Sequence, residues 1–448
     1  MQPPPHKARV HFRSLGCPKN TVDSEVMLAA LALGGYAIAE RLEDADVAVI
    51  NTCSFIESAR EESIEAILEV ADLRKSGRLA GLVVTGCLPQ RYGEGLAREL
   101  PEVDAFIGTY EYPRIARVLD AALEGKRRGV YVEAGRTYLH ADSDPRLLIG
   151  GRHSAYLKIA EGCDRTCAFC AIPSIRGRFQ SRSLDSLVRE AQALVREGVR
   201  ELVVISQDTC SWGRDLGGRE RLPDLLRALD RVEGLDWLRV MYLYPSGVTR
   251  ELIDTFASAK RLLSYVDVPL QHASDPVLRA MRRGLAAERQ ARLVESLRAT
   301  LPGVAIRTTF IVGFPGETDR DFERLCEFVR EYRFERLGVF RYSEEEGTPA
   351  WGRPDPVPRA RARERYRELC AIQADIQAEQ QRSHVGRSLQ VLVDRGGEQS
   401  ALGRLWSQAP EIDGSVRLQG GAAAGQLVEA RITGFQGADL QAQLPAGG

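Results

Sequence analysis

Short apolar runs alternate with longer amphipathic stretches along residues 8–107, and three of those runs stop at a cysteine. Residues 8–15 alternate in polarity like a strand and end at Gly16-Cys17; a helix is predicted over 21–33, stopped by Gly34-Gly35. Val47 to Ile50 is a short apolar strand, with Asn51-Thr52-Cys53 straight after it. Residues 54–74 read as a long amphipathic helix whose apolar face is Ile56, Ile64, Ile67, Leu68 and Leu73. Gly81 to Thr85 is another strand closed by Gly86-Cys87, and helix and strand repeat once more through 96–107. This βαβα rhythm predicts an α/β fold with a parallel, doubly wound sheet, in which the carboxyl ends of the strands share one ligand-binding edge. Cys17, Cys53 and Cys87, separated by 36 and 34 residues, are expected to meet at that edge. Three unrelated buried thiols are the other reading, since cysteine is often a core residue. That reading does not explain why the same edge is chosen three times.

The rhythm resumes with a strand over 155–160 that runs into Glu161-Gly162-Cys163-Asp164-Arg165-Thr166-Cys167-Ala168-Phe169-Cys170. Helices are predicted near 184–197, 222–232, 249–258, 276–281 and beyond, and 319–332; strands over 201–206, 238–243, 265–270, 304–312 and 336–340. Six such units suit an open, partial (β/α)6 barrel, with its site at the carboxyl ends of the strands. The stretch ending at Cys170 reads C-x3-C-x2-C. Three thiolates this close on a short loop can hold three irons of a cubane, whereas a four-iron cluster normally takes four cysteines. No fourth follows at ferredoxin spacing, so one iron would be left open to chelate a substrate or cofactor. A zinc site would prefer four closed ligands, usually as two separated pairs.

With Phe169 as its aromatic, the loop resembles the radical S-adenosylmethionine (SAM) enzymes. The resemblance implies that the open iron binds the amino and carboxylate groups of SAM, and that one electron from the cluster cleaves SAM to a deoxyadenosyl radical. Other strand ends offer SAM contacts by the same analogy: Ser206-Gln207-Asp208, Gln271-His272-Ala273-Ser274 and Gly313-Phe314-Pro315-Gly316-Glu317-Thr318. Phe169, Gln207 and Gly313 are the cofactor-binding candidates, although Gly313 and Gly316 also fit a plain turn. Arg176, Arg178 and Arg182 either pair with a carboxylate or form a solvated face. Cys326 and Cys370 lie in helix-like segments and read as packing residues, while Cys210, in a loop, stays open.

Ser14-Leu15-Gly16-Cys17-Pro18-Lys19-Asn20, Asn51-Thr52-Cys53-Ser54-Phe55-Ile56 and Gly86-Cys87-Leu88-Pro89-Gln90-Arg91-Tyr92 resemble the amino-terminal domain of the methylthiotransferases. In that family the three cysteines bind a second four-iron cluster, again with an open iron, where sulfur is transferred. The resemblance covers nearly the whole chain. Residues 133–153 are polar and irregular and read as a linker; 356–383 read as a charged helical connector. Short runs at 389–393, 401–406, 415–418, 426–433 and 439–444 predict a small β-barrel of the OB type, similar to the TRAM domain that ends methylthiotransferases. The expected division is 1–140, the methylthiotransferase domain with an auxiliary cluster; 141–382, the radical SAM domain; and 383–448, the TRAM domain.

The implied cofactors are two [4Fe-4S] clusters and SAM, the latter both radical source and methyl donor. Ser14-Leu15-Gly16-Cys17-Pro18-Lys19-Asn20, Tyr244-Pro245-Ser246-Gly247 and Ala409-Pro410-Glu411-Ile412-Asp413-Gly414 resemble the branch that methylthiolates the β-carbon of an aspartate in small-subunit ribosomal protein S-twelve. The rival is a tRNA methylthiotransferase acting on a modified adenosine near the anticodon; an RNA-binding or iron-sensing protein with structural clusters is a third reading. A formal charge of −1 gives no global basic field, and from Arg387 onward five arginines face six carboxylates, a poor platform for tRNA. Expected partners are S-twelve or the small ribosomal subunit and an electron donor such as flavodoxin or ferredoxin, with the protein itself a monomer. Nine cysteines behind a start with no apolar leader read as metal or redox chemistry in a reducing cytoplasm. No run of 18 apolar residues occurs, so no membrane span is expected.

Overall fold

The structure is a computed structural model and describes residues 7–125, 129–133 and 138–445. Its first sheet is built from β1 (Arg9–Ser14), α1 (Pro18–Leu33), β2 (Ala37–Ala39), β3 (Val47–Thr52), α2 (Glu57–Lys75), β4 (Gly81–Gly86), α3 (Cys87–Glu99), β5 (Ala105–Ile107), α4 (Ile115–Leu123) and β6 (Gly129–Tyr131). All its strands are parallel, in the order β2-β1-β3-β4-β5-β6. Alternate residues feed two cores: Ile50, Leu82, Val84 and Phe106 pack against α2 and α3, while Val49, Val83 and Ile107 pack against α1 and α4. The sheet is therefore doubly wound, and the order of winding reverses between β1 and β3, where such sheets bind ligands.

Two expectations need correction. The rhythm does not end at Ile107 but adds α4 and β6. The buried face of α2 is Ser63, Ala66, Ile67, Val70 and Ala71, and Ile64 and Leu68 are exposed. Small residues beside Ile67 and Val70 let α2 lie close on the sheet, and Ile64 and Leu68 point away.

The second sheet comprises β7 (Ser154–Lys158), β8 (Ala160–Glu161), α5 (Ile172–Arg176), β9 (Gln180–Ser181), α6 (Leu184–Arg196), β10 (Glu201–Ile205), α7 (Leu222–Asp230), β11 (Trp237–Val240), α8 (Arg250–Ser258), β12 (Leu262–Asp267), α9 (Asp275–Ala280), α10 (Ala287–Thr300), β13 (Ala305–Val312), α11 (Asp319–Tyr332) and β14 (Arg336–Arg341). Six strands run parallel in chain order from β7 to β14, open at both edges, and β8 pairs with β9 apart from them. Helices cover one face of the six-stranded sheet. The other face, with Tyr156, Val203, Ile205, Met241 and Tyr265, is covered by Val22 of α1 and by Trp406 and Ala409 from beyond the sheet.

α12 (Arg359–His384) leads to β15 (Ser388–Arg395), β16 (Ser400–Arg404), β17 (Val416–Gln419), β18 (Leu427–Gln436) and β19 (Asp439–Gln443), a closed barrel in the order β15-β16-β17-β19-β18. Buried polar contacts dock it: Glu201, already held by Arg239 at 2.9 Å, receives Arg404 of the barrel at 2.7 Å, and Tyr265 donates to Asp413 at 2.5 Å. The segment read as a linker is stapled down where it is described. Arg146 joins Glu25 of α1 to Glu190 of α6. Residues 134–137 of that segment lie outside the described residues. Among the described residues, no helix is long and apolar enough to cross a membrane.

Candidate active site

Parallel pairing of β1, β3 and β4 sets Ser14 beside Asn51 and Thr52 beside Gly86, so Cys17, Cys53 and Cys87 leave one sheet edge from three adjacent strands. The loops meet backbone to backbone. A Cβ on Gly16 would stand 2.9 Å from the Cys53 Cβ, and one on Gly86 would stand 2.6 Å from the Thr52 carbonyl oxygen. Both glycines have positive φ, 98° and 102°, which a side chain resists. Ser63 of α2 accepts from the Cys53 N–H at 3.1 Å and donates back to its carbonyl. Asn20 donates to the carbonyls of Leu15 at 3.0 Å and Thr52 at 2.9 Å, tying the first two loops.

The second triad sits at the carboxyl end of β7, on the loop between β8 and α5. The Cys163 N–H donates to the Gly177 carbonyl and the Ala168 N–H to that of Met281, so the loop is fastened on both sides. Three N–H groups face the thiols of the two triads. Arg283 reaches the Cys167 sulfur at 3.4 Å, the Arg165 backbone reaches Cys163 at 3.4 Å, and Arg176 reaches Cys87 at 3.3 Å. The Tyr244 ring lies between the guanidinium groups of Arg165 and Arg283, 4.0 Å and 4.1 Å from its centroid.

Arg176 joins the two triads. It is buried, touches Cys87, pairs with Asp23 of α1 at 2.6 Å and Glu161 at 3.3 Å, and donates to Asn20. Lys158 also pairs with Asp23 and with Glu161, the latter at 2.8 Å. Two cations and two carboxylates thus neutralise one another where the two sheets meet. Of the three arginines left open by the sequence, Arg176 and Arg182 are buried and paired, the latter with Glu190, and Arg178 is the solvated one. Lys19 is buried over the Tyr242 ring.

Gln207 donates to Glu161, and its other amide atom is buried without a partner. Phe169 is half-buried against Val277, Met281 and Phe314. Gly313 has φ 80°, gives its N–H to Glu317, and leaves room for Ala362 of α12, so turn geometry alone accounts for the glycine there. Cys326 is buried in α11 and Cys370 is half-buried in α12; Cys210 is buried in the core outside β10 and β11. The sequence reading missed Lys19, Asp23, Lys158, Glu161, Tyr242 and Arg283 as site residues. Lys19 and Glu161 stand inside the quoted motifs, and that was their only signal.

The donor set fits a pair of cubanes. Burial pushes the thiols of Cys53 and Cys163 up to about 11 and those of Cys87 and Cys170 up to about 12, so any metal they take must displace their protons. Among the described residues, no three His, Cys, Asp or Glu side chains converge on a single-ion site. A cubane takes each cysteine on a different iron, so its ligands stand farther apart than those of one ion. Buried polar atoms of Gln207, Asp208 and Gln271 at neighbouring strand ends lack hydrogen-bond partners, as a site for a polar cofactor requires.

Residues 9–108 match the uncharacterized protein family UPF0004, 157–329 the radical SAM superfamily, and 385–444 the TRAM domain. The fold is similar to that of the radical S-adenosylmethionine methyltransferase TsrM from Kitasatospora setae, with a TM-score of 0.55 and 17% identity over 76% of each chain. Far nearer in sequence are proteins named ribosomal protein uS12 methylthiotransferase RimO. The one from Geotalea uraniireducens is 46% identical over 97% of this chain and 98% of its own, and that from Trichlorobacter lovleyi 47% over 98% of each. The kinship therefore runs through both cysteine-bearing sheets and the barrel alike, and the chain belongs to the RimO family of radical SAM methylthiotransferases.

Proposed function

We propose that this protein methylthiolates the β-carbon of an aspartate in ribosomal protein uS12. The observation that carries the reading is the pair of cysteine triads, one on the carboxyl edge of each parallel sheet, linked through Arg176. Cys163, Cys167 and Cys170 hold one [4Fe-4S] cluster, and Cys17, Cys53 and Cys87 hold the other. When bound, the clusters and SAM supply the radical, the sulfur and the methyl group, chemistry that no side chain performs.

The chain's own residues place and seal that chemistry. Phe169 backs the cluster loop, and Gln207 and the strand end at Gly313 line the space for SAM. Arg283 and Arg176 present N–H groups to cysteine sulfur, and Ser63 and Asn20 fix the first set of loops. The barrel supports a protein acceptor over a tRNA. Its Arg404 is buried against Asp394 and Glu201, which leaves still less free positive charge than the sequence suggests. A cytoplasmic monomer that draws electrons from a flavodoxin or ferredoxin completes the reading.

Anaerobic reconstitution tests it. The protein should take up about eight irons, and changing Cys163, Cys167 and Cys170 together to Ala should remove about half and abolish SAM cleavage. Changing Cys17, Cys53 and Cys87 to Ala should spare SAM cleavage and eliminate methylthiolated uS12, followed by mass spectrometry. Normal product from that second variant would sink the sulfur-delivery role of the first triad. A methylthiolated tRNA with unmodified uS12 would transfer the reading to the tRNA enzymes.

A further inference from the structure

Where the two sheets meet, every buried cation but one among the described residues has a carboxylate partner. Lys158 and Arg176 share Asp23 and Glu161, and Arg307 takes Asp267 at 3.1 Å. Lys19 is the exception. Its side chain lies in the first turn of α1, only 6% exposed, and among the described residues its ammonium has no hydrogen-bond or ion-pair partner. It rests on the face of Tyr242, 2.8 Å from the ring centroid. Tyr242 lies just past β11 and is held at φ 63°, an unusual conformation for an aromatic residue, by its N–H bond to Asp267 at 2.9 Å. Of the anionic groups near Lys19, Cys17 acts on it most strongly, and the carboxylates Asp267 and Glu161 are both engaged elsewhere. A buried charge is normally paired, and an ammonium held on an aromatic face still has its other side free for an anion.

We propose that Lys19 binds the carboxylate of the acceptor aspartate. The proposal rests on the reading that an aspartate of uS12 is the acceptor. The β-carbon that takes the sulfur is bonded directly to that carboxylate, so a cation on the carboxylate fixes the reacting carbon one bond away. Lys19 stands two residues after Cys17 on one sheet, over a tyrosine from the strand-end loops of the other, which is where such a carbon must lie to be reached from both triads. An asparagine would leave the ammonium unpaired, and sites built for a charged partner reject the analogue lacking it.

The test uses anaerobically reconstituted full-length protein with SAM and two labelled uS12 peptides, one with the acceptor aspartate and one with asparagine in its place. Binding is read by fluorescence anisotropy. The protein should bind the aspartate peptide about ten- to a hundredfold more tightly, and Lys19→Met should bring the two affinities within about twofold. Lys19→Arg should restore part of the preference. Equal affinities in the unaltered protein overturn the proposal without any variant, which covers the case of a Lys19→Met protein that fails to fold. A preference that survives Lys19→Met in a protein of normal iron content overturns it as well. If the unaltered protein binds neither peptide yet cleaves SAM, the acceptor reading itself has failed and the proposal falls with it.

Discussion

Arg283 donates to the Cys167 sulfur, stacks on Tyr244, and is anchored by its second donor to the Pro269 carbonyl at 2.7 Å. A fixed positive donor on a cysteine sulfur favours the reduced, more negative state of whatever that sulfur ligates. Arg283→Met should therefore shift the midpoint potential of the cluster on that triad negative by about 60 mV, the equivalent of one charge-assisted hydrogen bond. The check is an EPR-monitored redox titration in protein whose first triad has been changed to Ala; an unmoved midpoint would show that the contact has no electrostatic effect. At this scale the meeting of Cys17, Cys53 and Cys87 at one sheet edge was legible, because their spacing repeats with the units that carry them. Asp23 and Lys158 were not, and Arg176 was left open between a carboxylate partner and a solvated face. Asp23 and Lys158 pair across 135 residues of chain, and nothing local marks a charge whose partner is that distant.

Strands and helices were read to within a few residues wherever apolar runs were bounded by glycine or a cap, as in α11, whose Thr318 and Asp321 close a capping box. α2 failed for a physical reason. Ile64 and Leu68 do not lie on its buried stripe, and the face that packs is made of Ser63, Ala66 and Ala71 around Ile67 and Val70. The corrected face makes an asymmetric prediction. Ile67→Ala should destabilise the protein by about 2–4 kcal/mol, whereas Leu68→Glu should stay within about 0.5 kcal/mol. Thermal unfolding of both variants decides it, and a large loss for Leu68→Glu would restore the original face. β6 went unread because it is only three residues long and half-buried.

The whole molecule is held by charges that the sequence could not pair. Burial raises the Glu201 carboxyl, but Arg404 and Arg239 outweigh it and bring it from 4.5 to about 2. A carboxyl depressed on folding contributes stability that is complete above 4.5 and is lost as the pH falls toward 2. That contribution is roughly 3 kcal/mol, and Glu201 lies between the barrel and the second sheet. Glu201→Gln should thus flatten the acid limb of the melting temperature between those values, with little change in slope near neutrality. An acid limb identical to that of the unaltered protein would place the acid sensitivity elsewhere.

The inner face of the second sheet is covered from two directions, by Val22 of α1 and by Trp406 and Ala409. During synthesis those covers arrive at opposite times. Val22 has left the ribosome before any strand of that sheet exists, whereas Trp406 and Ala409 emerge only after the last of its strands, β14. Throughout that interval Met241, Tyr265 and their neighbours face solvent on one side. A nascent chain stalled between Arg341 and Trp406 would therefore present an apolar surface that the finished protein hides, a marker by which chaperones and proteases can tell an incomplete copy from a complete one.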